Sequence, residues 1–377
     1  MNKKSELLFN SSLQFANATS SKCAEASAMN KNVSTHEYIN IEDEVGGSEF
    51  KPRSSSTGGK LPHYGPRRPI YPTTSKPDFV TDVKSRFRVT ASELRNYRAI
   101  VKLADSEYHD VFAINIGGVK CTYRSFGDSL KPDGFVSHYV VNAFCRHLFM
   151  KPNGHPDVTK KHFYFSTVGD NLMKHPADAD QEVLQKAFTK SRKARALPDC
   201  NLLFFPVLFE NHWFVFVVDI KDRYFVFLDS FYQKDDNYQE FVRERLIPSF
   251  QLHWDKYVIC DRDMKFDQYK IIYPAVPRQP EENLVDSGIV VMMILQHWES
   301  PRTILSSIFD ITDIPKIRLK IANELMFFSL NTGVKRHVVE FFDKSMENRI
   351  LFFLSTANCC FALFQHVFCS LKIQKRL

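Results

Sequence analysis

NLLFFPVLF (201–209), WFVFVVDI (213–220) and RYFVFLDS (223–230) are the stretches whose reading decides the fold. Each run is about strand length and rich in Phe and Val. Short polar, turn-like links separate them, so they are expected as adjacent buried strands. DDNYQEFVRERLIPSFQLHW (235–254) then reads as a helix with acidic residues at its start. YKIIYPAV (269–276) reads as a further strand and IVVMMILQHW (289–298) as an apolar helix. Helices flanking a small sheet predict an α+β domain.

The same periodicity extends upstream. VTASELRNYRAIVKLAD (89–105) carries Thr90 in the N-cap place and Glu93 three residues on, followed by apolar residues at helical spacing. HDVFAINIGGVKCTYRSFG (109–127) is β-like, with Gly117-Gly118 as a hairpin turn. PDGFVSHYVVNAFCRHLF (132–149) puts Phe135, Tyr139, Val140, Phe144 and Leu148 on one helical face. DADQEVLQKAFTKSRKARAL (178–197) reads as an amphipathic helix with a basic end. Its Lys190, Arg192, Lys193 and Arg195 are read as a solvated face, with a nuclear-import patch or an RNA contact as alternatives.

Residues 1–85 differ in composition. SSSTGGK (54–60) and LPHYGPRRPIYPTTSKPD (61–78) interrupt any nascent helix with Gly and Pro, which predicts a flexible leader. Within it, Tyr38 to Val45 is a candidate short docking motif. A globular domain is expected over 86–345 and an apolar tail over 346–377. With 377 residues and 44% apolar side chains, 34 of them Phe, the chain can build a large core, which excludes a wholly disordered or fibrous protein. The net charge of +7 does not require a nucleic-acid partner. Eight scattered Cys without a CxxC pair, and no secretory apolar segment, point to reduced thiols in an intracellular protein of the nucleus or cytoplasm. No cofactor or metal is expected, because His and Cys never fall at zinc-ligand spacing and no Gly-rich phosphate loop occurs.

Four polar features stand at the ends of the predicted elements. His212 lies in the tight link ENHW just before a strand, and Asp229 ends the next strand seventeen residues later. Neighbouring strands would bring the carboxylate beside the imidazole, where it fixes the tautomer. Read singly, the His is structural and the Asp-Ser a turn or cap. Ser287 lies between Asp286 and Gly288 where a helix begins. A nucleophile there would have backbone N–H groups nearby to hold an oxyanion. The plain alternative is that Asp286 or Ser287 caps the helix. Gln279, in the loop PRQPEEN (277–283), has an amide able to reach the same oxyanion, or is simply exposed to solvent.

The order of these parts resembles the ubiquitin-like-protein-specific protease family, the cysteine peptidases that mature and remove SUMO-type modifiers. They belong to the same broad group as the adenovirus protease. The resemblance covers roughly residues 110–330. Within that range, DGFVSHYVVNAF (133–144) is similar to an early segment that helps form the family's modifier-binding face, and HFYFSTVGDNLM (162–173) to the Phe-rich segment after it. It is strongest to a divergent branch abundant in plant genomes and linked to mobile elements. It implies a papain-like fold and a ubiquitin-like modifier or its conjugates as partner. His212 would be the general base, Trp213 its flanking aromatic, Asp229 the orienting carboxylate and Gln279 the oxyanion donor. Asp286-Ser287-Gly288 stands where the family has Asp-Cys-Gly.

The chain departs from the family pattern in two places. A serine hydroxyl is far harder to ionise than a thiol and needs concerted base catalysis, so a site built for sulfur should lose most of its rate. Gln279 lies eight residues before Ser287, further than in the family. The expected function is therefore a cysteine-type peptidase or isopeptidase homologue with reduced or lost activity. The alternative is a catalytically silent module that binds a modifier, and a remnant without a selected role is a third reading. Cys121, Cys145, Cys200 and Cys260 are expected to be ordinary thiols. ILFFLSTANCCFALFQHVFCSL (350–371) is long enough to cross a bilayer and has basic flanks. Asn358, Gln365 and His366 within it are costly in hydrocarbon, which favours a tail without an anchor.

Overall fold

The computed structural model of the chain describes residues 86–189, 195–283 and 285–342. The leader with its Tyr38–Val45 motif, the cations Lys190, Arg192 and Lys193, and the 350–371 tail lie outside the described residues.

The elements in chain order begin with α1 (Ala91–Leu103), β1 (Phe112–Ile116), β2 (Val119–Thr122), α2 (Tyr123–Leu130), α3 (His138–Met150) and the single turn α4 (Pro156–Thr159). Next come β3 (Lys161–Phe163), α5 (Ser166–Met173), α6 (Gln181–Phe188), β4 (Leu202–Phe209), β5 (His212–Asp219) and β6 (Tyr224–Leu228). The chain continues through α7 (Asn237–Tyr257), β7 (Lys270–Ile272), α8 (Ser287–His297) and α9 (Ile314–Met326).

Local chemistry sets most boundaries. Thr90 and Glu93 form a reciprocal capping box that starts α1: the Glu93 N–H donates to Thr90 Oγ1 at 3.1 Å and the Thr90 N–H to Glu93 Oε2 at 2.8 Å. Gly117 and Gly118 both take positive φ, at 54° and 84°, which is the two-residue turn that a tightly twisted hairpin needs. The β reading of 109–127 runs too far, because Thr122 Oγ1 accepts the Ser125 N–H at 3.2 Å and opens α2. The helix of 178–197 is also shorter than expected. Asp180 caps it through the Glu182 and Val183 N–H groups, and it ends at Phe188. β7 stops at Ile272, just before Tyr273-Pro274, since Pro has no N–H to extend the ladder. On α3, Val140, Phe144 and Leu148 are buried, whereas Phe135 precedes the helix and Tyr139 is 56% exposed.

The main sheet has the order β3-β4-β5-β6-β7. β4, β5 and β6 are antiparallel neighbours, and β3 and β7 add to the edges in parallel. Alternate residues of β5 enter different cores. Trp213, Val215 and Val217 pack with α3, α8 and α9. Phe214, Phe216 and Val218 pack with α5, α6 and α7. Burial on both faces is why these strands read as unbroken apolar runs. The chain is thus α+β, with a sheet between two helical layers.

Phe216 is fully buried and meets the rings of Phe205, Phe225, Phe227 and Phe250. Phe216→Ala should lower unfolding free energy by about 3–5 kcal/mol, read as a drop in urea midpoint with the slope unchanged.

Candidate active site

His212 is placed by a turn. Glu210 and Asn211 take positive φ of 48° and 58°, so β4 reverses in two residues and His212 is the first residue of β5, opposite Phe209. Its side chain is 1% exposed. Asp229 follows the last residue of β6, and its Oδ1 lies 2.8 Å from His212 Nε2. The same oxygen accepts the N–H groups of Phe231 at 2.7 Å and Tyr232 at 3.0 Å, and Oδ2 accepts Gln239 Nε2 at 2.7 Å. Tyr232 and Tyr238, stacked at 3.8 Å, stand edge-on to the imidazole at 5.2 and 6.0 Å.

Ser287 opens α8 and is fully buried. Its Oγ accepts the backbone N–H of Trp213 at 3.2 Å. The serine therefore reaches the strand that carries His212, but its hydroxyl bonds the main chain of the next residue. His212 Nδ1 is buried without a hydrogen-bond partner among the described residues. Gly288 permits this approach, since a Cβ there would lie 2.5 Å from Val136 Cβ and 3.1 Å from Trp213 Cδ1. Trp213 is pinned in turn by donating Nε1–H to the Val136 carbonyl at 2.9 Å.

Asp286 occupies the N-cap position of α8, but its side chain makes no capping bond, contrary to the cap reading. Arg318 on α9 takes the carboxylate instead. Its Nε and Nη2 donate to Asp286 Oδ1 at 3.1 and 2.5 Å, and its Nη1 donates to the Ser129 carbonyl at 2.8 Å. Asn283 Nδ2 donates to the other carboxylate oxygen at 2.6 Å. A guanidinium fork buried beside the carboxylate is a stronger partner than a helix N–H. The first N–H groups of α8 are thereby left uncapped by this side chain.

Gln279 is buried rather than exposed. Its side-chain oxygen accepts the Ser230 hydroxyl, and its Nε2 donates to the Asn283 carbonyl at 2.8 Å. Residues 280–283 form a turn closed by the Asn283 N–H on the Pro280 carbonyl at 3.1 Å. A polar chain thus runs Ser230–Gln279–Asn283–Asp286–Arg318, and the amide of Gln279 serves that chain. Sequence reasoning misses Arg318 and Gln239. The one signal for Arg318 is a cation inside the apolar periodicity of IPKIRLKIANELM (314–326).

Beside Trp213 lies a second His–Asp pair. The His138 ring is edge-on to Trp213 at 5.1 Å, and its Nδ1 is 3.0 Å from Ser166 Oγ and 3.3 Å from Asp170 Oδ2. Burial pushes the Asp170 carboxyl up to about 7 despite the Leu208 N–H, and burial pushes His138 down. Elsewhere, burial raises the thiols of Cys121 and Cys145 and lifts Cys200 to about 12, so none is a ready nucleophile. Among the described residues no helix is long and apolar enough to cross a membrane.

A strand-borne His–Asp pair thus stands against the N-terminus of a buried helix in an α+β domain. The sequence profile of the Ulp1 protease family's C-terminal catalytic domain matches residues 156–328 of this chain. An Arabidopsis thaliana protein with the provisional name ubiquitin-like-specific protease 1B is 21% identical over 203 residues, covering 52% of this chain and 55% of that protein. Ubiquitin-like-specific protease 1A of the same plant is 27% identical over 103 residues, covering 27% of this chain and 20% of that protein. The chain thus spans about half the length of the first of these curated relatives and a fifth of the second. The solved C-terminal Ulp1 protease domain in complex with Smt3, the yeast orthologue of SUMO, is 19% identical with a TM-score of 0.49, over 63% of this chain and 96% of that one.

These contacts predict how two substitutions behave. Arg318→Met strands a buried carboxylate and should cost about 3–5 kcal/mol in urea unfolding, whereas Arg318→Met with Asp286→Leu should recover most of it. Asp170 holds its proton to higher pH when folded than unfolded. The native state therefore binds more protons than the unfolded one between about pH 4 and 7, and stability falls as pH rises through that window. Asp170→Asn should flatten that fall in thermal melts.

Proposed function

We propose that the chain is a peptidase or isopeptidase homologue for ubiquitin-like, SUMO-type modifiers, in which the C-terminal tail of the modifier is still recognised and its hydrolysis is much reduced. The match to the Ulp1 family profile over residues 156–328 and the names of the curated relatives support the substrate class. The reduction rests on one observation: Ser287 Oγ bonds the Trp213 N–H, while His212 Nδ1, the nitrogen left for a nucleophile, has no partner among the described residues.

In this reading His212 is the base, Asp229 holds its tautomer, and Ser287 is the nucleophile position. Because Asp229 accepts at Nε2, the neutral ring carries its proton there, and Nδ1 is the basic nitrogen. The N–H groups at the start of α8 hold the oxyanion, since Asp286 is turned to Arg318 and does not cap them. Gln279 joins them by exchanging the Asn283 carbonyl for the substrate oxygen. Gly288 admits the helix to this position and Trp213 walls it. A thiol at residue 287 would be longer, softer and ionisable beside the imidazole, whereas the hydroxyl needs the base to take its proton during attack.

The same observation favours a second reading, a fully silent binding module. A cleavage assay on SUMO-type precursors and on lysine conjugates separates the two. The Ser287→Cys chain should cut at the modifier's C-terminal glycine, and the natural chain should be slower by about 10²–10⁴-fold because the base is not coupled to its hydroxyl. Residual cutting that His212→Ala abolishes supports the slow enzyme. Complete absence in the natural chain, with cutting by the Cys version, supports the silent binder. No cutting by either removes the proposal for these substrates.

A further inference from the structure

We propose that Gln239 is the positioning residue of the His212–Asp229 pair, fixing the carboxylate so that it holds the imidazole in one orientation. The inference rests on the reading of His212 as base.

Gln239 lies in the first turn of α7 and is fully buried. Its Nε2 donates to Asp229 Oδ2 at 2.7 Å, and its Oε1 is buried with no hydrogen-bond partner among the described residues. Interiors rarely retain an orphaned acceptor of this kind. An apolar side chain of similar size would fill the site without one, so the bond to Asp229 is what the amide contributes. Its orientation is also determined, because the flipped amide would set Oε1 against the carboxylate.

The two oxygens of Asp229 are held differently. Oδ1 accepts His212 Nε2 and the N–H groups of Phe231 and Tyr232, while Oδ2 is held by the Gln239 amide. Remove that bond and the carboxyl is held at Oδ1 alone, so its plane rocks about the last torsion and the Oδ1–imidazole geometry loosens. The other titratable groups near the pair supply no replacement. Glu210 in the β4–β5 turn and Asp236 before α7 are acceptors. Tyr238 donates its hydroxyl to the Phe209 carbonyl at 3.1 Å. Burial first, and then the surrounding negative charges, raise both Tyr232 and Tyr238, so they stay neutral phenols.

The decisive readout is the ring proton of His212 in the ¹⁵N-histidine-labelled full chain, assigned by its loss in His212→Ala. The natural chain should show a downfield Nε2 proton bonded to Asp229. In Gln239→Leu that resonance should move upfield and exchange with water at least about tenfold faster, in line with the loss of a bond to a charged group. Gln239→Glu should keep it at acid pH, where the new carboxyl is protonated and donates, and lose it as pH rises and two carboxylates face each other. In the Ser287→Cys chain, Gln239→Leu should lower kcat about ten- to a hundredfold with KM unchanged. A Gln239→Leu chain whose ring proton keeps its position and exchange rate overturns the proposal, as does a pH-independent resonance in Gln239→Glu. If the Ser287→Cys chain cuts no modifier, the protease reading fails, and the ring-proton spectra still decide the role of Gln239.

Discussion

The buried ion pair between Asp286 and Arg318 is the constraint on which the site depends. Helix α8 is apolar along its whole first half and is enclosed on all sides, so the polar groups at its start lie out of water. A carboxylate there is tolerable only with a full set of donors, and Arg318 and Asn283 supply them. Through Asn283 the same contact reaches Gln279 and Ser230, the residue after Asp229. The loop before α8 and the end of β6 are thereby tied together, and one guanidinium sets the position of both halves of the site.

The sheet delivers His212 to this anchored helix. A two-residue turn places His212 at the first position of β5, and β6 ends one residue before Asp229, so the pair forms where two antiparallel strands leave the sheet. Gly288 then lets α8 approach until Ser287 touches the main chain of β5. The geometry holds the imidazole, the Asp229 carboxylate and the helix terminus close together, while the hydroxyl is engaged by a backbone N–H and not by the imidazole Nδ1. A sulfur at that position has a longer bond and a much weaker preference for such a donor.

How much of the molecule is legible in the chain depends on range. The three Phe- and Val-rich strands, the Thr90–Glu93 box and the Gly117-Gly118 turn are local patterns with local causes, and each is found within a residue or two of its expected place. The limits of 109–127, 178–197 and 269–276 differ from expectation where a single capping Thr or Asp, or a Pro, overrides a longer apolar rhythm. Gln279 and Asp286 look like an exposed loop amide and a helix cap because that is their usual local chemistry. Their partners lie far off in sequence, at Ser230 and Arg318. Gln239 is hidden for a related reason: ten residues after Asp229 on an amphipathic helix, nothing local distinguishes it from a surface residue.

The most direct measurement is the reaction of the full chain with a fluorophosphonate, followed by intact-mass and peptide analysis. If Ser287 is held by the Trp213 backbone and only weakly coupled to His212, labelling at Ser287 is a trace at most, and His212→Ala removes it. A rapid, stoichiometric adduct at Ser287 that disappears in His212→Ala would contradict this and show a fully working serine nucleophile.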